Sequence, residues 1–590
     1  MDKQNQHLLS DEQVRRFIAD GFIIIDSKLS SDFHQRVSQQ IAYALEYELP
    51  HPGDNIVPRV PLLNRLSNSA AVQGALTSVL GEGFEFLPHR FPHNSNPLKS
   101  YIASASHGGE NNAEERTEGE FLSNNRSKMK AFATQPKMAR GSISASAWHQ
   151  DSHATCGRTR WHRPRAANVF YFPHATSLEM GPTRFLAGSH MYATLHDIRA
   201  EQAVMQEIPE GSVVIAHFDL VHAGSPNTSN KARYMMKFVA LRCENPTKPS
   251  WNNKEIEWRT PEKLKTHHDL PDAWQSIWHW MRGGLEYSIP TRPISRHNLK
   301  ALIAGIKSPD QQERLSSLYK LVTVGAPAVE PLVAELLTTA EKSPREENAN
   351  GSPEDVKNRH LDRFFLDAQF TPEDSAVALS AIGEPGVTAL VKLLGHTDPW
   401  IRINAVFALG DAGSAKVGEN IGQMEKLLDD PEPHVILATL DALAALGIFG
   451  EKAISQMKRF LNGVVTHWGT DAKNDPRLAE LGKMRYLSAI ALLSWLRSSA
   501  KKIPHLVSFA EAALLESLND ESGYPALIAC SALERSDSVE NLRAALIYLR
   551  GRSWDAAQNT RQIGQWTLDH NRATLERIST RDQINDKKRT

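Results

Sequence analysis

The stretch "GSVVIAHFDLVHAGSPNTSNKARYMMKF", residues 211–238, decides the fold. Its two apolar runs, at 211–217 and 233–238, are β-branched, aromatic and Met-rich, and Gly, Pro and Asn bound them. Such runs read as strands. "ANVFYFPHA" (167–175) is a third run of the same kind. Short strands separated by turns over 141–242 suit a barrel or jelly roll, which buries strands on both faces and carries sites inside.

Working outward, "FIADGFIIID" (17–26) reads as a helix end broken by Gly21 and a buried strand from Phe22 to Ile25. Residues 9–20 are an amphipathic helix, with Ser10 and Gln13 spaced as a capping box. "SSDFHQRVSQQIAYALEYE" (30–48) predicts a second helix capped by Ser30 or Ser31. Residues 104–130 are polar and Gly/Asn-rich, which suits a mobile surface loop or a lid. The segment 243–297 carries Trp251, Trp258, Trp274, Trp278 and Trp280, and reads as packing that seals the barrel.

After about residue 298 the pattern becomes helical and Ala/Leu-rich. Gly325-Ala-Pro-Ala-Val329 is echoed by Gly383-Glu-Pro-Gly-Val387. Asp398-Pro399 recurs as Asp430-Pro431, 32 residues later. Helix pairs at such a period indicate an α-solenoid, loosely similar to HEAT repeats. Domains are therefore expected at 1–297 (jelly roll, polar insertion 104–130), 298–560 (solenoid, flexible insertion 341–358) and 561–590 (C-terminal helix and tail). The expected fold is a β jelly roll (double-stranded β-helix) with flanking helices, followed by an all-α HEAT-like solenoid.

At 590 residues the chain exceeds one hydrophobic core. A formal net charge of −1 gives no global bias toward nucleic acid or an anionic membrane, and neither is expected as a partner. Cys156, Cys243 and Cys530 are widely separated, which suits a reducing compartment. The N-terminus lacks the apolar core of a secretory signal, and no apolar run approaches a membrane span. A cytoplasmic location is expected.

The chemistry concentrates in few positions. In "AWHQDSH" (147–153), His149 and Asp151 stand two apart, so on a strand end both reach one ion while Gln150 points away. His222 comes from a distant strand. Two imidazoles and one carboxylate on one face of an iron form the facial triad of non-haem Fe(II) oxygenases, which leaves the opposite face open. The plainer alternatives are a hydrogen-bonded surface pair for His149 and Asp151, and a salt-bridged strand residue for Arg233. His217 reads as a packed or supporting histidine, and His190 as support for its own turn. "TCGRTRWHRPR" (155–165) places Arg158, Arg160, Arg163 and Arg165 after the ligands. They form either a solvated loop or a basic rim that draws in an anionic substrate.

This region resembles the phytanoyl-CoA dioxygenase family of Fe(II)/2-oxoglutarate oxygenases. "AWHQDSH", "MGPTRFLAGSH" (180–190) and the 211–238 block carry the resemblance, with Gly211, His222, Asn227, Ser229 and Arg233 in register. It covers roughly residues 10–285. Met180 and Thr183 depart from the family's usual Asn and Leu. The resemblance implies iron held by His149, Asp151 and His222. It implies Arg233 on the distal carboxylate of 2-oxoglutarate, assisted by a nearby hydroxyl, here Ser225. It further implies O2 and a small-molecule substrate, hydroxylation of an unactivated C–H bond, and release of succinate and CO2. Retention of Asp151 argues for oxygen transfer rather than halogenation. Arg158 and Arg160 are candidate substrate-rim residues, and the solenoid offers a concave surface to a protein partner. The rival reading is a non-catalytic jelly-roll/HEAT scaffold.

Overall fold

The computed structural model describes residues 7–46, 56–97, 148, 150–151, 162–192, 202–284, 295–341, 372–412, 415–463, 478–499, 502–518 and 523–552. The polar insertion at 104–130, residues 342–358 of the flexible insertion, and the tail at 561–590 lie outside them. Among the described residues no helix is long and apolar enough to cross a membrane.

The expected strands form. β1 (Phe22–Asp26), β2 (Glu85–Ser95), β3 (Ala166–Tyr171), β5 (Ser212–His217) and β7 (Arg233–Leu241) make one antiparallel sheet in the order β1-β5-β3-β7-β2. β4 (Arg184–Phe185) and β6 (His222–Ala223) make a second, two-stranded sheet. In β3 and β5 every residue is buried, which is why they read as continuous apolar runs rather than alternating ones. Directly opposed residues on antiparallel strands point to the same face. The register therefore fixes two faces. Asn168 opposite Val239, and Phe170 opposite Lys237, look inward with Arg233 and Met235. β4 packs onto this face, with Phe185 5.0 Å from Phe22 and 5.7 Å from Phe170 between ring centroids. The opposite face presents Val169, Tyr171, Met236, Phe238 and Ala240 to the helix-covered core.

That core is capped by α1 (Asp11–Asp20) and α2 (Ser31–Glu46). The Ser10/Gln13 capping box is present in both directions, and Gly21 ends α1 at φ 83°. Ser30 Oγ accepts from Phe33 N at 3.3 Å and caps α2. The Trp-rich segment packs as expected. Trp251 and Trp258 meet Trp278 of the helix Pro271–Met281 in tilted and edge-to-face contacts, at 5.0 and 6.0 Å between centroids.

From Arg296–Gly305 onward the described chain is helical. Gly325 (φ 73°, ψ −139°) and Gly383 (φ 93°, ψ −149°) each precede a helix with Pro in its first turn, so that sequence echo is a structural one. The Asp-Pro echo divides instead. Asp398 caps the helix Pro399–Asp411, whereas Glu432 caps Pro433–Leu446. Asp430 accepts a two-point bond from Arg402, at 2.8 Å on each oxygen, and ties one repeat to the next.

The basic segment after Asp151 needs correction where it is described. Arg163 and Arg165 are buried at 5% and 2% exposure and form no solvated rim. Arg165 donates to the carbonyls of Gly410 (3.0 Å) and Ala445 (3.1 Å) and pairs with Asp411 at 3.4 Å. Arg163, Arg165 and Arg242 crowd the Trp280 ring at 5.3, 4.8 and 5.2 Å. Glu85 of β2 accepts from Arg497 and from Arg535. The helical array is thus bonded to the sheet through buried charges. Arg158 and Arg160 lie outside the described residues.

Between sheet and array sits a cluster of neutral imidazoles. His190 and His217 ring centroids are 4.9 Å apart. His190 hydrogen-bonds the Ile18 carbonyl, and His217 accepts from Asp219 N at 3.2 Å, so both serve packing. His162 contacts Tyr319 Oη at 2.8 Å. Burial pushes His162 and His217 down to about 3. Between that value and the ordinary 6.5 the unfolded chain binds more protons than the folded one, so stability falls as pH falls. Moving from pH 7 to 5 is expected to cost about 2 kcal/mol per such histidine. Thermal unfolding across that range measures it. A flat profile contradicts the burial of neutral rings, and H217N should flatten the slope by one proton.

Candidate active site

The inner face of the sheet converges on Asp151. The strand end expected for this segment is not seen at its described positions: Trp148 and Gln150 lie in irregular backbone, and Asp151 has 3-10 rather than extended backbone. Gln150 explains it. Its amide donates to the carbonyls of Tyr192 (2.9 Å) and Asp219 (3.0 Å), so the segment is pinned across two loops instead of along a ladder. Trp148 packs against Val221, Ala223 and Leu186, and Arg184 sits 4.8 Å over its ring. His149 itself lies outside the described residues.

His222 Nε2 stands 3.5 Å from Asp151 Oδ2. Its Nδ1 is 2.9 Å from the Leu220 carbonyl, which can only accept. Nδ1 therefore carries a proton, which leaves Nε2, the nitrogen turned to Asp151, as the one a metal would take. Phe170 and Phe185 flank the ring at 5.4 and 6.3 Å. Asp151 Oδ2 also accepts from Asn168 Nδ2 at 2.7 Å and Lys237 Nζ at 2.6 Å. Among the described residues no three His, Cys, Asp or Glu side chains cluster as a metal site.

Arg233 opens β7 on the same face. It is 5% exposed, and burial lowers its guanidinium to about 10. Nη1 donates to the Gly181 carbonyl at 2.7 Å, while Nε is buried with no partner among the described residues. Among the described residues no carboxylate pairs with it. Gly181 (φ 70°) permits this geometry. A Cβ there would collide with the carbonyl oxygens of Ser225 and Pro226, so only glycine lets the two turns approach. Asn227 fixes the entry to β7 by donating to the carbonyls of Ser95 (2.8 Å) and Lys231 (2.7 Å). Ser225 is buried, but its hydroxyl turns to Met205 Sδ at 3.4 Å rather than to Arg233.

Sequence reasoning missed four residues here: Lys237, Asn168, His89 and His93. On β2, Ser95 faces Arg233, His93 faces Met235 and Phe91 faces Lys237. His89, Phe91 and His93 form a ladder of rings spaced 6.4 and 5.2 Å. Burial, then the Lys237 charge, hold His89 at about 3 and His93 well below its ordinary value. His93 Nε2 is buried with no hydrogen-bond partner among the described residues. The signal for Lys237 lay in β7 itself: it is the second charge, after Arg233, on the inward row of a mostly apolar strand.

Comparison with known proteins gives the class of this region. Residues 103–235 match the phytanoyl-CoA dioxygenase (PhyH) family, and residues 376–465 match HEAT repeats. These two stretches are thus similar to the phytanoyl-CoA dioxygenase family and to HEAT repeats, in that order along the chain. The dioxygenase peniF of Penicillium patulum is 31% identical over 113 residues, 16% of this chain and 37% of that protein. The chain therefore spans about a third of this curated relative. Solved structures resembling it include the non-haem α-ketoglutarate-dependent carbocyclase SnoK from nogalamycin biosynthesis (16% identity, 43% of this chain, 88% of that one, TM-score 0.28). EctD from S. alaskensis with 2-oxoglutarate and 5-hydroxyectoine is another (15%, 45%, 89%, 0.29).

Proposed function

We propose that the sheet unit is a jelly-roll dioxygenase dependent on Fe(II) and 2-oxoglutarate. One observation carries this reading: a buried guanidinium, Arg233, with one backbone acceptor, an orphaned Nε and no carboxylate among the described residues. A buried cation without a counter-charge is costly, so the site is built for an anion that arrives from outside. Guanidinium offers a carboxylate two parallel bonds, the geometry that the distal end of 2-oxoglutarate fits.

The donor set fits the metal. A carboxylate and an imidazole nitrogen converge at Asp151 and His222, and His149 is the proposed third ligand. When bound, Fe(II) and 2-oxoglutarate supply O2 activation, with release of succinate and CO2. The chain's own residues do the rest. Asn168 and Lys237 hold the Asp151 carboxylate, Leu220 fixes the His222 tautomer, and Phe170, Phe185 and Met235 keep water from the inner face. Ser225 is the proposed hydroxyl partner of Arg233 at the co-substrate, which it reaches only by leaving Met205. The reaction is hydroxylation of an unactivated C–H bond of a small substrate, with anionic groups met by Arg158 and Arg160. The HEAT array offers its concave surface to a protein partner. Cys243 and Cys530 are buried thiols pushed up to about 12, which suits a reducing, cytoplasmic setting.

Anaerobic addition of Fe(II) and 2-oxoglutarate should produce a weak visible metal-to-ligand charge-transfer band. Its absence from the folded protein overturns the reading. Its survival in H149A, D151A or H222A overturns the ligand assignment.

A further inference from the structure

β7 carries a second inward cation that the proposed chemistry does not require. Lys237 is 6% exposed, its ammonium lies 5.8 Å from the Phe170 ring centroid, and it sits 2.6 Å from Asp151 Oδ2. The same oxygen takes Asn168 at 2.7 Å and faces His222 Nε2 at 3.5 Å. The carboxylate that would neutralise a divalent metal is thus already answered by a fixed cation. Packing on a central strand keeps that cation from swinging to water.

We propose that Lys237 makes metal binding conditional on the dianionic co-substrate. The inference rests on Asp151 and His222 being metal ligands. A metal entering alone adds two positive charges beside Lys237 and Arg233 in a low-dielectric interior, where like charges repel strongly. A dianion entering with it reverses the balance, because both cations then face negative charge. Metal and co-substrate therefore bind as a coupled pair, and the coupling is reciprocal. Orientation alone predicts otherwise. If Lys237 only held the carboxylate, its removal would weaken metal binding, as losing a ligand's hydrogen-bond partner usually does.

Isothermal titration of the full chain with Co(II), with and without N-oxalylglycine (a non-reactive dianion shaped like 2-oxoglutarate), tests this. In the wild type the dianion should tighten Co(II) binding. In K237Q, which keeps a donor but removes the charge, Co(II) alone should bind about 10-fold tighter. The enhancement by N-oxalylglycine should shrink by a similar factor. K237M should behave alike, and K237R should keep the wild-type coupling; either neutral variant that folds suffices. Unchanged or weakened Co(II) binding in K237Q, or an undiminished enhancement, overturns the proposal. D151N and H222A separate its failure from that of the ligand assignment: if they bind Co(II) as the wild type does, the assignment itself is wrong.

Discussion

Replacing Arg233 with methionine is expected to weaken 2-oxoglutarate binding by two to three orders of magnitude, about 3–4 kcal/mol, while leaving the fold as stable as before or more so. The two effects have one origin. Arg233 is buried and, among the described residues, is bonded only to the Gly181 carbonyl, with an orphaned Nε. In the empty site its charge is a burden that methionine removes at similar volume. In the loaded site that charge supplies the two-point contact. Lysine should rescue poorly, because a single ammonium cannot serve both the Gly181 carbonyl and a carboxylate in parallel. Titration of 2-oxoglutarate against metal-loaded protein reads the first effect and urea unfolding of the metal-free protein reads the second. A variant that binds normally removes Arg233 from the site. A variant that unfolds several kcal/mol more easily makes Arg233 structural.

The Asp151→Ala substitution should behave in the opposite sense. It should destabilise the metal-free chain by about 3–5 kcal/mol, because Lys237 is left as an unpaired cation in a packed interior. The D151A/K237M double variant should recover most of that loss, since no buried charge remains on either side. Both variants should lose the metal. Urea unfolding in chelator separates these effects, because stability is then measured where metal cannot contribute. Wild-type stability in D151A, or additive losses in the double variant, would contradict a buried Asp151–Lys237 pair.

The sequence made the strands legible because β3, β5 and β7 are buried on both faces and read as apolar runs. It made α1 legible because Ser10 and Gln13 are a local signal. Asp151, His222 and Arg233 stood out in the sequence as polar residues beside apolar runs, and the structure brings Asp151 and His222 to 3.5 Å. Long-range partners were not legible. Gln150 reaches Tyr192 and Asp219, and that reach replaces the expected strand with a turn. Lys237 meets Asp151 across 86 residues. Arg163 and Arg165 look like solvated charges until Trp280 and the Gly410 carbonyl appear beside them. A charge run shows its sign in sequence but not its burial.

The contacts of Arg165 also set a timetable for biogenesis. Its acceptors lie 245 and 280 residues further along the chain. At ribosomal speeds of about 5–20 residues per second, this buried cation waits on the order of tens of seconds for its acceptors. During that interval the outer surface of Trp280 and its three guanidinium neighbours has no helical cover from downstream. The nascent sheet is therefore expected to need a holding chaperone until residue 445 has left the exit tunnel. Separately expressed halves should each be prone to aggregation, and co-expression should rescue them.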